Sequence, residues 1–215
     1  MSKRPGLPAW LLSWVILAFT SHGVVAGEFL VRKQRPPDDE LAKYDDAVQK
    51  TLLNGASMFP YVRMVVEPSF SPEWMIEVLE PVSGRAEVRL VTASSQVWPL
   101  SHPRSVITKK AGITPGTATL LRELWVALVI PARGPADSND GPDGEFYYLS
   151  AYTPESLSVT AEVWSPPEHS NPGQLVSLGY ALQRLVQAEA GNRAILEAEV
   201  VKKAQELQRA IASRH

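Results

Sequence analysis

Two stretches of the chain alternate apolar and polar residues at strand length, and each is interrupted once by a turn. In residues 73–93, "EWMIEVLE" and "AEVRLVT" flank "PVSGR", where Gly84 can supply the positive φ that a tight hairpin needs. In residues 145–164, "EFYYLSAYT" and "SLSVTAEVW" flank a second turn. Because side chains alternate between the two faces of a strand, each stretch predicts an antiparallel hairpin with one buried and one solvent-facing side.

The alternation also assigns side chains to faces. In the first hairpin we expect a core face of Trp74, Ile76, Val78, Ala86, Val88 and Leu90, with Glu73, Glu77, Glu87 and Arg89 facing solvent. In the second hairpin we expect a core face of Tyr147, Leu149 and Ala151, matched across the turn by Val159, Ala161 and Val163.

Apolar residues at helical spacing, bounded by capping signals, predict four helices. Asp38 and Asp39 can cap the first helix. The second and third helices each begin with a capping residue followed by proline, Thr114-Pro115 and Asn171-Pro172. A fourth helix is expected over residues 193–213, with a narrow stripe of Leu196, Val200, Leu207 and Ile211. The stretch 94–113 is irregular, with a short strand expected at 106–108.

The resulting order, α-β-β-β-α-β-β-α-α, lacks the strict strand–helix alternation of a parallel sheet. It predicts an α+β fold, with an antiparallel sheet of about five strands and helices packed on one side. We expect a single domain over residues 38–190, a mobile leader over 27–37 and a peripheral C-terminal helix over 191–215.

The N-terminus, "MSKRPGLPAWLLSWVILAFTSHGVVAGEF", is typical of a secretory signal peptide. Lys3 and Arg4 precede an apolar stretch at 9–20, and small residues then predict cleavage between Ala26 and Gly27. The alternative is an uncleaved anchor, although a span needs about 20 apolar residues. Cleavage of residues 1–26 predicts a periplasmic or secreted protein without a stable membrane span.

Charge and cysteine content narrow the function classes. The chain has 21 Lys and Arg against 23 Asp and Glu, so its formal net charge is -2, and no basic stripe recurs. Nucleic acid is therefore not an expected partner. There is no cysteine, which excludes disulfides and fits a bacterial periplasm.

The acidic stretch "ADSNDGPDGEFYY" is the first candidate for a metal site. It fails the EF-hand spacing whether the loop starts at Asp137 or at Asp140, because Tyr148 or Ala151 would occupy the position of the bidentate glutamate. An irregular ion site over residues 137–143 is left open beside the simpler interpretation, a polar turn. His102, His169 and His215 lack zinc-ligand spacing, so we expect no metal and no cofactor.

Catalytic signatures are also missing from the sequence. There is no G-x-S-x-G or S-x-x-K motif and no glycine-rich phosphate loop, so no catalytic residue is assigned. Two alternatives stay open: a triad built from Ser165 or Ser170 with His169 and a loop aspartate, and a carboxylate pair of Glu145 with Glu162.

The non-core face of the second hairpin mixes aromatic rings with hydroxyl groups. We predict that Tyr148, Tyr152 and Trp164 form a recognition surface there, since amphipathic aromatics are enriched at interfaces. The alternative is structural, with a helix covering these rings and satisfying the tyrosine hydroxyls.

"DGPDGEFYYLSAY" and "VWSPPEHSNPGQLVSLGYALQRLV" resemble exported bacterial proteins of unknown function. Those share a glycine-flanked turn into an aromatic strand, then Trp-Ser-Pro and a Leu-rich helix. The similarity spans about residues 118–188 and leaves residues 27–60 and 190–215 uncovered. It implies an envelope location and an α+β fold, and it brings no catalytic residues.

Two functions are consistent with these observations. The first is a non-catalytic periplasmic protein that binds a protein partner in the cell envelope, as an inhibitor, an immunity-type protector or an accessory factor. The second is an envelope hydrolase with an unrecognised carboxylate or histidine acid/base pair. A deep pocket collecting Asp140, Glu145, Glu162 or His169 would favour the hydrolase, and an open aromatic surface would favour the binding protein.

Overall fold

The computed structural model describes residues 30–32, 39–58, 60–98, 104–132, 144–153 and 158–213. Several predictions lie outside these residues: the signal peptide with its cleavage point between Ala26 and Gly27, the acidic turn at 137–143, His102 and His215. One part of the predicted leader lies inside them. Val31–Arg32 (β1) forms a two-residue strand, so here the leader is part of the sheet rather than mobile.

The predicted α+β class is confirmed. The helices are Glu40–Leu53 (α1), Pro115–Val129 (α2), Asn171–Gln187 (α3) and Arg193–Ala212 (α4), with a 3-10 turn at Ala190–Asn192. The remaining strands are Pro60–Pro68 (β2), Trp74–Leu79 (β3), Ala86–Ala93 (β4), Val106–Ile113 (β5), Glu145–Tyr152 (β6) and Ser158–Trp164 (β7). The seven strands make one sheet in the order β1-β7-β6-β2-β3-β4-β5, and every pairing is antiparallel.

Both predicted hairpins have the expected register. Ile76 pairs with Leu90 across the first, and Leu149 pairs with Ala161 across the second. In the first turn Ser83 and Gly84 both have positive φ, 51° and 77°. Two positive φ values at the centre of a two-residue loop follow the right-handed twist of the flanking strands, which explains the glycine.

The face that carries these core residues is covered by helices α2 and α3, and α4 packs on those two helices. Val200, Ala204 and Leu207 of α4 are fully buried, so α4 shares the main core rather than projecting into solvent. The predicted stripe of large apolar residues on α4 does not include Ala204. The small side chain of Ala204 allows α4 to approach α2 and α3 closely.

Helix α1 lies on the opposite face of the sheet, so the helices do not all share one side. A second core forms there from Val48 and Leu52 of α1 with Val65, Met75, Val91, Ala93, Val97 and Tyr148. The prediction that this face of the first hairpin is exposed to solvent is therefore wrong for Glu73 and Glu77, which are buried beneath α1 and the loops around it. Strict alternation concealed the second core because two glutamates on the same face, Glu73 and Glu77, are buried with hydrogen-bond partners.

Two local predictions need correction. Strand β5 spans Val106–Ile113 rather than 106–108; it is an edge strand, and exposure of residues 107–110 removes the apolar alternation that marks strands. The cap of α3 is Ser170, not Asn171, since the Ser170 hydroxyl accepts a hydrogen bond from the Gly173 amide at 3.0 Å. The predicted caps Asp39 and Thr114 are confirmed.

Candidate functional site

The three side chains predicted to form a recognition surface share one face of the second hairpin. Tyr148 nevertheless belongs to the second core: its side chain is 1 % exposed, and its hydroxyl donates to Asp45 Oδ1 at 3.0 Å. Tyr152 and Trp164 are half-buried, and the guanidinium of Arg63 lies 5.7 Å from the centre of the Tyr152 ring. The structural alternative therefore applies to Tyr148, and two of the three rings retain accessible surface.

A more exposed group of aromatic and apolar side chains lies at the end of the sheet where β2 ends and β3 begins. We call it the aromatic patch; it consists of the Tyr44–Trp98 ring pair, of Leu41, one helical turn before Tyr44 on α1, and of Phe70, which follows Ser69 in the loop that Gln96 binds. Leu41 is 46 % exposed, Trp98 53 % and Phe70 83 %. The Trp98 ring packs edge-to-face on Tyr44, with centroids 6.0 Å apart. Large exposed apolar side chains held in one place are typical of protein interaction sites.

Glu73 holds the aromatic patch together from below. Its buried carboxylate accepts hydrogen bonds from the Val97 amide at 2.9 and 3.1 Å and from the Tyr44 hydroxyl at 2.5 Å. Burial, followed by the hydrogen bond to Glu73, raises the pKa of Tyr44 well above its usual range, so its hydroxyl stays a donor. Gln96 ties the two loops together by donating to the Ser69 carbonyl at 3.2 Å. The patch is thus fixed to the sheet and not carried by a free loop.

A pocket of about 450 Å³ lies on the other face of the sheet, against α3. We call it the Glu145 pocket; its lining includes Glu145, Tyr147, Ser165, Glu168, Ser177 and Tyr180. The hydroxyls of Tyr147 and Tyr180 both donate to Oε2 of Glu145, Tyr180 from 2.7 Å. Burial raises the pKa of Tyr180 to about 12 and raises that of Tyr147 far above its ordinary value. Both phenols therefore stay protonated while they bind the carboxylate.

The backbone around this pocket is unusual at two points. Ser165 has a φ of 36°, rare for a residue other than glycine, and its hydroxyl accepts a hydrogen bond from the Glu145 amide at 3.0 Å. A Cβ at Gly173 would collide with the carbonyl of Pro167, which lies against the start of α3. These contacts fix the end of β6 and the start of α3 relative to one another.

The fold does not bring the Glu145–Glu162 pair together, and the loop aspartate of the Ser-His-Asp alternative lies outside the described residues. Glu145 faces α3, whereas Glu162 follows the opposite parity and lies on the other side of the sheet, so they do not form a carboxylate pair. Ser170 is engaged as the α3 cap and His169 is exposed. Within the ranges that the structure describes, no group of three His, Asp or Glu side chains is placed to hold a metal ion. No helix in those ranges is long and apolar enough to cross a membrane.

A second groove, of about 640 Å³, opens at the opposite end of the sheet, near the turn between β3 and β4. Glu87 in its lining contacts Lys110 at 3.1 Å and Arg89 at 3.3 Å. Arg85 and Arg193 also line the groove, so basic side chains outnumber acidic ones there.

Two of the residues that the sequence did not predict as functional lie outside any periodic element. Phe70 and Trp98 lie in loops rich in serine and proline, where a large apolar side chain has no core position to fill. A large apolar side chain in such a loop was the feature of the sequence that could have indicated an exposed binding surface. Tyr180 was hidden for another reason: it lies in α3 among leucines, and only the packing of α3 on β6 brings its hydroxyl to Glu145.

Comparison with known proteins gives no further assignment: no family model, no curated protein and no solved structure matches the chain. The resemblance over residues 118–188 stays a prediction.

Proposed function

We propose that this chain is a non-catalytic accessory protein of the cell envelope that binds another protein through the aromatic patch. The observation that carries the proposal is the half-exposed Trp98 ring held against Tyr44. The exposed Leu41 lies one turn before Tyr44 on α1, and the exposed Phe70 lies in the loop that Gln96 ties to the Trp98 loop. Tryptophan and tyrosine are the side chains that most often dominate binding energy at protein interfaces.

Rigidity of the patch supports the same function. Glu73 and Gln96 fix both loops, so little conformational entropy remains to be lost when a partner covers the rings. Inhibitors and immunity-type protectors act by such preformed surfaces. The predicted signal peptide and the lack of cysteine support an envelope location.

The test is affinity capture with the mature chain from a periplasmic extract, comparing the native sequence with Trp98→Ser and Phe70→Ser. We expect the native chain to retain one stoichiometric protein, and both variants to lose it. The matched control is Ile195→Ser, because Ile195 is also large, apolar and 64 % exposed but lies on α4, outside the patch. Equal capture by native chain and Trp98→Ser would contradict the proposed surface.

The hydrolase alternative rests on the Glu145 pocket, where the carboxylates of Glu145 and Glu168 both line one cavity. It predicts that the purified chain cleaves an envelope polymer and that Glu145→Gln abolishes the cleavage. Turnover retained in that variant would exclude Glu145 as the acid or base.

A further inference from the structure

Among the described residues, the lining of the Glu145 pocket includes two carboxylates and no Lys, Arg or His. Glu145 and Glu168 both line it, and neither makes an ion pair with any Lys, Arg or His in the described part of the chain. Lys203, which does not itself line the pocket, donates to the Ser177 hydroxyl at 3.3 Å. The side chains that line the pocket therefore include two carboxylates and no basic group.

Aromatic rings form the other walls of the same pocket. The rings of Tyr147 and Tyr180 meet at 75°, with centroids 6.4 Å apart, and Trp74 packs edge-to-face behind Tyr180 at 5.1 Å. Two phenol rings near a right angle, beside a carboxylate, are the arrangement that recognises organic ammonium groups by combined charge and cation–π attraction. The volume of about 450 Å³ is within the range of small-molecule pockets.

We propose that the Glu145 pocket binds a small organic cation with an ammonium group, its charge on the Glu145 carboxylate and its alkyl groups against Tyr147 and Tyr180. The Tyr147 and Tyr180 hydroxyls hold the carboxylate in place for this ligand. A hard divalent cation is disfavoured because calcium needs six or more oxygen ligands, and among the described residues no group of three His, Asp or Glu side chains is placed to hold a metal ion.

This inference goes beyond the proposed protein-binding function and does not depend on it. The probe is choline, titrated calorimetrically into the mature chain against 3,3-dimethylbutan-1-ol, which has the same shape without the charge. At about 20 mM, a concentration that saturates a site with a Kd of about 1 mM, we expect heat from choline and none from the alcohol.

Variants assign the binding to the pocket. Glu145→Gln keeps an acceptor for both phenols but removes the charge, and it should weaken choline binding at least about tenfold. Tyr180→Phe keeps the ring but removes one of the two hydroxyls that hold Glu145, so it should weaken choline binding less than Tyr180→Leu, which should lose it. Trp98→Ser, on the other face, should leave choline binding unchanged even if it abolishes protein capture.

Circular dichroism of each variant verifies the fold, and Glu168→Gln serves if Glu145→Gln does not fold, since Glu168 is exposed. Absence of choline binding, equal binding of the uncharged alcohol, or choline binding unaffected by both Glu145→Gln and Glu168→Gln would each overturn the proposal.

Discussion

The hydroxyl of Tyr148 on β6 donates a hydrogen bond to the carboxylate of Asp45 on α1, across 3.0 Å in a buried interface. This bond joins the sheet to the one described helix on that face. It also explains why an aromatic residue on the non-core parity of the second hairpin is not at the surface: α1 and its polar partner cover it.

Tyr148→Phe should lower the free energy of unfolding by about 1 kcal/mol, because it removes a hydrogen bond to a buried carboxylate. Urea denaturation measures the change. The matched control is Tyr152→Phe on the same strand, which should change stability by less than about 0.5 kcal/mol. Equal losses in the two variants would show that the Asp45 contact is not what stabilises α1 on the sheet.

Glu77→Ala should be more damaging. The Glu77 carboxylate is fully buried and accepts hydrogen bonds from Arg63 at 2.7 and 2.9 Å and from the Ser57 amide at 2.9 Å. Removing it leaves a largely buried guanidinium without its counter-charge, at a cost of about 3 kcal/mol. Glu87→Ala removes a more exposed glutamate that also contacts Arg89, and a loss as large as that of Glu77→Ala would contradict this reasoning.

Ser170→Ala should destabilise the chain by about 1 kcal/mol, since the hydroxyl caps α3 through the Gly173 amide and also donates to the Pro167 carbonyl at 2.7 Å. Thermal unfolding of Asn171→Ala provides the comparison at the neighbouring position. If Asn171→Ala costs more than Ser170→Ala, the cap assignment is wrong.

Stability should decline at high pH. The pKa of Tyr180 is raised from its ordinary value of 10.0 to about 12, chiefly by burial. Above about pH 10 the phenol ionises in the unfolded chain and not in the folded one, so stability is complete below that pH and decreases toward pH 12. Denaturation midpoints measured between pH 10 and pH 12, together with phenolate absorbance, test this prediction. The stability of Tyr180→Phe should decrease less steeply with pH. An equally steep decrease in that variant would contradict the assignment of the pH dependence to Tyr180.

The sequence predicted what depends on local periodicity and capping. A few neighbouring residues determine each of the confirmed features, because alternation and side-chain capping act within one element. These features are the register of both hairpins, the positive φ of Gly84, and the caps Asp39 and Thr114. The predicted order of elements and the antiparallel sheet followed from those elements.

The tertiary structure alone decided what depends on contacts between distant residues. The sequence could not place α1 against the sheet face opposite α2 and α3, and that placement buries Tyr148, Glu73 and Glu77. Nor could it bring Tyr180 to Glu145, 35 residues away, or Trp98 to Tyr44. Alternation in a strand indicates that its two sides differ in polarity. Burial depends instead on which helix or loop packs against each side. The two candidate sites of this protein form where those packed elements meet the sheet.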